Sequence, residues 1–259
     1  MFVVCVTIGA TMSWLGANVW VVSFISSLIS SATAVVAAKC SLKPAGSIFF
    51  VFATAAVGSM HGGSGPFIAF LVAAVTAGFC VVLRALAHLL GEGPLPGTLP
   101  MTVQHFTVRE LGGHGLRFFI APLVAGSLGA VSMTMVPELS HSYWAMVASV
   151  APISPPRYRD RLTRSVHRII GTLAGVATAA FLLSFPSQPW QLVVWVIILQ
   201  FLGEMYVGRN YAFALTFITP VALMMTQLAH PMPADMLLLT HSVETVLGAG
   251  VAMFVVAFG

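Results

Sequence analysis

Apolar residues along the chain run in long blocks, and the breaks between blocks fall at clusters of Gly, Pro and polar side chains rather than at every second or third position. Each block was required to approach the roughly twenty apolar residues that cross a hydrocarbon core of about 30 Å, which yields ten segments. They cover 1–15, 18–38, 44–60, 65–89, 116–136, 141–155, 166–185, 189–207, 210–229 and 235–258, and the sixth is short. The pattern predicts an all-α membrane protein, a polytopic bundle of about ten transmembrane helices in two repeat-related modules, the first incomplete. The second segment carries Ser23, Ser26, Ser27, Ser30 and Ser31, small polar residues that suit close helix packing in lipid. The opening block ends in small residues and has the outline of a secretory signal. It lacks a basic start, and another apolar block follows at once, so it reads as a spanning segment.

Composition excludes the alternatives. Of 259 residues, 58% are hydrophobic and 7% charged, with a mean hydropathy of +0.98. A water-soluble domain carries roughly a quarter of its residues charged. The expected partner is therefore the lipid bilayer. A net charge of +4 and a pI near 9.3 would also suit nucleic acid, but the basic residues border apolar blocks, the pattern of cytoplasmic membrane loops, and no nucleic acid is expected. Cys5, Cys40 and Cys80 form no CxxC and have no His at metal spacing, so they are expected to pack as small apolar residues, without disulfide or metal.

Charge also sets the orientation. With the N-terminus inside, every Lys and Arg falls on the cytoplasmic side. Lys39 and Lys43 separate the second and third segments, and Arg84, Arg109 and Arg117 lie between the fourth and fifth or at their ends. Arg157, Arg159, Arg161, Arg164 and Arg168 follow the sixth, and Arg209 separates the eighth from the ninth. The outer turns near 14–18, 61–65, 137–141, 185–189 and 230–235 carry none. Both termini are then cytoplasmic.

The polar stretch 91–115, with Pro94, Pro96 and Pro100, reads as a cytoplasmic linker. It divides the chain into a four-helix module at 1–90 and a six-helix module at 116–259. The last four segments echo the first four in loop length and orientation. Lys43-Pro44-Ala45-Gly46-Ser47-Ile48-Phe49-Phe50 stands where Arg209-Asn210-Tyr211-Ala212-Phe213-Ala214-Leu215 stands later, each a basic residue opening an aromatic-bearing span. If the repeat unit is six spans, the first copy lacks two, and the chain is expected to begin partway through a longer design.

Three passages of the second module carry a family likeness. They are Tyr143-Trp144-Ala145, then the basic run Arg164-Ser165-Val166-His167-Arg168 leading into Gly171-Thr172-Leu173-Ala174-Gly175, and then Arg209-Asn210-Tyr211-Ala212-Phe213-Ala214-Leu215 followed by Phe217-Ile218-Thr219-Pro220. In order and spacing, the region 116–258 resembles one membrane module of the fusaric-acid-resistance or aromatic-acid-exporter family, and residues 1–90 resemble the later part of a first module more weakly. The resemblance implies efflux of small organic anions, typically aromatic carboxylates, across a bacterial inner membrane. It also implies kinship with plant aluminium-activated malate channels, which conduct anions passively.

Within that frame, Arg164 and Arg168 lie four apart on one helical face, where their guanidinium forks would suit a carboxylate. The alternative is that they fix topology and touch lipid phosphates. Arg157, Arg159 and Arg161 are expected in the loop before them. Gly171 and Gly175 have the spacing of a close helix contact. Glu244 lies about nine residues, or roughly 13 Å, into the last span, with His241 three residues earlier on the same face. An ionisable group at that depth is either a proton-coupling element or part of a structural hydrogen-bonded pair. Glu204 and Arg209 flank a short turn where they would neutralise each other, with Asn210 as a cap or, with Arg209, as part of a gate that touches substrate. Trp190 and Trp195 suit the membrane interface; Tyr143 and Trp144 suit either the interface or stacking on an aromatic substrate. Pro220 interrupts the ninth span.

No phosphate-cradling loop, zinc-spaced His and Glu or nucleophile elbow is present, so neither an enzyme nor a cofactor is expected, and energy must come from an ion gradient or a partner. The function that follows is secondary export of small organic anions. A passive anion channel built from several copies of the chain is the first alternative, and a membrane scaffold or inactive fragment the second. In a cysteine-free background, a cysteine at Arg161 is expected to react with a membrane-impermeant maleimide in inverted vesicles only. Labelling in intact cells would reverse the orientation.

Overall fold

A computed structural model of the chain describes residues 1–42, 46–60, 62–63, 65–93, 106–135, 142–185 and 188–258. The described residues form ten helices and no strand: α1 Phe2–Trp14, α2 Val19–Lys39, α3 Ile48–Gly58, α4 Pro66–Leu89, α5 Val108–Met135, α6 Tyr143–Ile153, α7 Tyr158–Leu183, α8 Pro189–Val207, α9 Tyr211–Ala229 and α10 Ala234–Phe258. Seven are long and apolar enough to cross a membrane. The chain is thus a polytopic helical membrane protein. The remaining three, α1, α3 and α6, have 13, 11 and 11 residues. At 1.5 Å per residue an 11-residue helix is about 16 Å long, roughly half the hydrocarbon thickness. Hydropathy alone marks these blocks as apolar; it does not show where the helix stops inside them. The Lys43-Pro44-Ala45 start of the expected third span, the outer turn 137–141 and residues 94–105 of the expected linker lie outside the described residues.

Two helices begin earlier than their apolar blocks. Helix α5 takes in the end of the stretch expected to be linker, because Thr107 and Glu110 close a capping box over its start. The Thr107 N–H donates to Glu110 Oε2 at 2.9 Å, and the Glu110 N–H donates to Thr107 Oγ1 at 3.2 Å. Helix α7 opens at Tyr158, so Arg159 and Arg161 lie in its first turns rather than in a loop, and Arg157 is the N-cap. The guanidinium of Arg161 turns back to the preceding prolines, donating from Nε to the Pro155 carbonyl at 2.7 Å and from Nη2 to the Pro156 carbonyl at 3.2 Å. That clasp joins the turn to the polar first turns of α7.

The chain divides into two compact units, Met1–Leu123 and Val124–Gly259, with the boundary inside α5 next to Pro122. In the first unit α1 packs on α3 and α4, and α3 packs on α2. The contacts are small and polar. Ser30 and Ser47 share a hydrogen bond of 2.7 Å, Thr54 Oγ1 of α3 lies 3.4 Å from the Cys5 carbonyl of α1, and a Cβ on Gly9 would come within 2.8 Å of the Thr54 carbonyl oxygen. Helix α4 buries only Ala73, leaving almost its whole apolar surface for lipid.

In the second unit α7 packs on α9 and α10, α9 packs on α8, and α6 packs on α10 and α7. The partners of α7 through α10 thus repeat the order seen for α1 through α4. Every residue of α6 is buried, making it the central element of the unit. Apolar surface gains little from helix association in a medium of lipid tails, so backbones must come close enough for dispersion to act. Glycine makes this possible. A Cβ on Gly171 would clash with the Ala212 carbonyl oxygen, one on Gly175 would lie 2.6 Å from that of Leu215, and one on Gly248 would clash with that of Ala145. Replacing Gly248 by Leu is expected to cost about 1–3 kcal/mol through overpacking. Gly250→Leu, with nothing within 4 Å of its Cβ position, is expected to change stability little. Unfolding in mixed micelles, followed by circular dichroism, measures both.

Candidate functional site

Two groups of polar side chains lie inside the second unit. The first is built on the paired arginines of α7. A helix places residues four apart on one face, and Gly171, a turn further along, lets the start of α9 press against that face. Tyr211, the first residue of α9, is thereby held by both arginines. The Arg164 guanidinium carbon lies 4.2 Å from the Tyr211 ring centroid, a cation–π contact, and Arg168 Nη1 lies 3.5 Å from the Tyr211 hydroxyl. Arg168 is only 7% exposed. The Nε atoms of both arginines are buried without a hydrogen-bond partner. The buried guanidinium of Arg168 therefore holds a long, weak bond to a neutral phenol where a cation at depth calls for an anion.

Asn210 completes this corner as the N-cap of α9, its side-chain oxygen accepting from the Phe213 N–H at 3.1 Å. The adjoining residues supply an aromatic cluster, with the Tyr206 and Phe213 ring centroids 4.7 Å apart and those of Phe213 and Phe217 5.1 Å apart. Arg209 is exposed, outside the group. Glu204 does not neutralise it as expected and instead accepts from Gln200 Nε2 at 2.8 Å. An i, i+4 amide one turn back on the same helix reaches the carboxylate more readily than an arginine across a turn.

The second group gathers where α5, α6 and α10 meet. Glu244 is fully buried near the middle of α10, and Ser132 Oγ of α5 donates to its Oε1 at 3.3 Å. The carboxylate also lies against the backbone amide of Ala145, in the first turn of α6. Its Oε2 has no hydrogen-bond partner and sits 2.8 Å from where a Cβ on Gly129 would be. His241, one turn earlier on α10, is 1% exposed and packs edge-on to Trp144 with centroids 4.4 Å apart. The Tyr143 ring lies beside that of Trp144 with centroids 4.8 Å apart and planes tilted by 34°, and its hydroxyl reaches the Thr226 side chain of α9. These two aromatics are therefore interior residues, not interface anchors. Trp190, 66% exposed at the start of α8, is placed as an anchor would be.

Thr172, one turn beyond Arg168 on α7, and Thr245, beside Glu244 on α10, each bury a hydroxyl oxygen without a hydrogen-bond partner. The packed pair α7 and α10 thus carries such polar atoms at Arg164 Nε, Arg168 Nε, Thr172 Oγ1, Glu244 Oε2 and Thr245 Oγ1. Sequence reasoning selected Arg164, Arg168, Tyr143, Trp144, His241 and Glu244, and the structure brings them into these two groups. It missed Tyr211 and Ser132. Tyr211 had a signal in its position directly after the capping Asn210, whereas Ser132 is joined to Glu244 only by the fold.

A family model described as fusaric acid resistance protein-like matches residues 119–255. An uncharacterized protein of Synechocystis sp. is 26% identical over 141 residues, covering 54% of this chain and 18% of that protein. The uncharacterized membrane protein YvaC of Bacillus subtilis is 30% identical over 117 residues, covering 45% of this chain and 17% of that protein. The chain thus spans under a fifth of the length of either relative. No solved structure matches it.

Proposed function

Because this chain belongs to the fusaric acid resistance protein-like family, a family of membrane transporters, we propose that it forms a membrane module for secondary export of small organic anions, aromatic carboxylates among them, across a bacterial inner membrane. The observation that carries the reading is Arg168, a buried guanidinium with a free Nε and only a neutral hydroxyl beside it. Its planar fork matches a carboxylate with two parallel hydrogen bonds, which would supply the missing countercharge inside the bundle. Arg164 is anchored on the Tyr211 ring and adds a second positive charge at the same corner. The Tyr206, Phe213 and Phe217 rings line the approach at the joint of α8 and α9 and suit an aromatic substrate. Arg209 and Asn210 act at this end as an exposed collecting charge and the cap that holds Tyr211 in place.

Glu244 is the element proposed to couple export to protons. Ser132 on α5 donates to it, His241 stands one turn earlier on its own helix, and Arg168 is the buried cation of the adjacent α7. A carboxyl group enclosed in the bundle can carry a proton one way as an anion moves the other. Proton uptake and substrate movement are then linked. The recurring order of helix partners in the two units supports two related modules at 1–90 and 116–259, joined through 91–115.

Arg168→Gln is expected to reduce benzoate uptake into inverted vesicles at least about ten-fold, the loss of one charge-assisted bidentate contact. Arg168→Lys should restore part of it, and Arg159→Gln should leave the rate unchanged. Glu244→Gln is expected to flatten the dependence of uptake on the proton gradient, read by comparing rates with and without an imposed pH difference. An anion current that follows voltage and ignores that gradient would instead mark a passive channel.

A further inference from the structure

Tyr211 carries a ring and an oxygen, and the second unit holds each of them on a different arginine. The Arg164 guanidinium carbon stands 4.2 Å from the ring centroid, and Arg168 Nη1 stands 3.5 Å from the hydroxyl oxygen. Two guanidinium groups four residues apart on α7 thereby grip one side chain at both ends. A phenol is an unusual partner for such a pair, because a buried cation is ordinarily matched by a carboxylate. Glu204, the carboxylate at the end of α8, is exposed and engaged with Gln200 instead.

The phenol meets this pair incompletely. Its one oxygen engages one nitrogen of Arg168, at a length that marks a weak bond, while the Nε atoms of Arg164 and Arg168 stay buried without a partner. An aromatic carboxylate has the same outline, a flat ring with oxygen at one end, but brings two oxygens and a full negative charge. We infer that Tyr211 occupies the place of an aromatic carboxylate, its ring on Arg164 and its oxygen toward Arg168, and that such a ligand binds by turning this side chain out. The choice of ligand rests on the export reading, whereas the grip on Tyr211 rests on the geometry alone.

The position of Tyr211 in the fold suits a side chain that moves. It is the first residue of α9, so no helical turn precedes it to confine its rotamer. The Asn210 cap holds the backbone through the Phe213 amide, and the ring can swing while the helix start stays in place. The exchange trades one long bond to a hydroxyl for charge-assisted bonds to a carboxylate, and it keeps a ring over Arg164. Occupancy is exclusive, because both rings claim the same guanidinium face. Tyr211 thus sets specificity as well as access: an aliphatic carboxylate such as acetate lacks the ring that takes over the Arg164 contact.

The test is binding to the full chain in lipid nanodiscs, followed by titration calorimetry. Tyr211→Ala removes the internal competitor and is expected to bind benzoate on the order of ten-fold more tightly than the native chain. Tyr211→Phe keeps the ring and the fold and loses only the hydroxyl, so it should gain about two-fold. p-Cresol, the tyrosine side chain as a free molecule, should bind Tyr211→Ala but not the native chain, and benzoate should displace it one for one. Adding Arg168→Gln should remove both gains. If Tyr211 only braces α9 against α7, neither substitution raises the affinity for benzoate; that result, or p-cresol held without competition from benzoate, overturns the inference. p-Cresol capture needs no transport, so it is separate from the export reading, which the effect of Arg168→Gln on benzoate uptake decides.

Discussion

Inside a bilayer a polar atom has no water to turn to, so each one that the second unit buries must find its partner in protein or be held for a ligand. The backbone meets this demand by being helical, and most hydroxyls meet it by donating to a carbonyl one turn back, as Ser149 does to Met146 and Ser165 to Arg161. Glu244 of α10 meets the demand across helices instead: Ser132 of α5 donates to one of its oxygens, and Gly129, one turn before Ser132, leaves the room that the other fills.

The same demand accounts for the closeness of the packing. A buried guanidinium and a buried carboxylate are tolerable only where the apolar scaffold is stiff enough to hold them against escape toward the lipid boundary. Gly171 and Gly175 bring α9 to α7 at backbone distance, and Gly248 does the same for α10 and α6. The polar groups sit at the same places: Tyr211 directly precedes Ala212, which meets Gly171, and Glu244 is one turn from Gly248. Close approach and polar function are two uses of one set of positions, with glycine removing the bulk that would separate them.

Much of this was legible in the residues alone, for reasons that also explain what was not. Each of the ten helices coincides over most of its length with an apolar block, because lipid demands apolarity wherever a helix faces it. The early starts of α5 and α7 were hidden, since both first turns are polar and hydropathy registers only the membrane-facing part. The shortness of α6 was legible in its short block, whereas that of α3 was hidden, because composition does not register where within a block the backbone leaves the helix. The arginine pair was readable because four residues on a helix is a local relation. Glu244 was readable as an anomaly of depth, but its partners Ser132 and Ala145 stand about a hundred residues away, and nothing in the pattern of either segment points to the other.

Helix α4 stands apart from these arguments, since it buries only Ala73. Its apolar run ends at Arg84, so the uncharged part from Pro66 to Leu83 is 18 residues, about 27 Å, against a hydrocarbon slab of roughly 30 Å. A rod no longer than the slab it crosses needs no lean, and a long cationic side chain at its end keeps its head at the boundary. The depth of α4 along the membrane normal is thereby pinned from one end by a single charge.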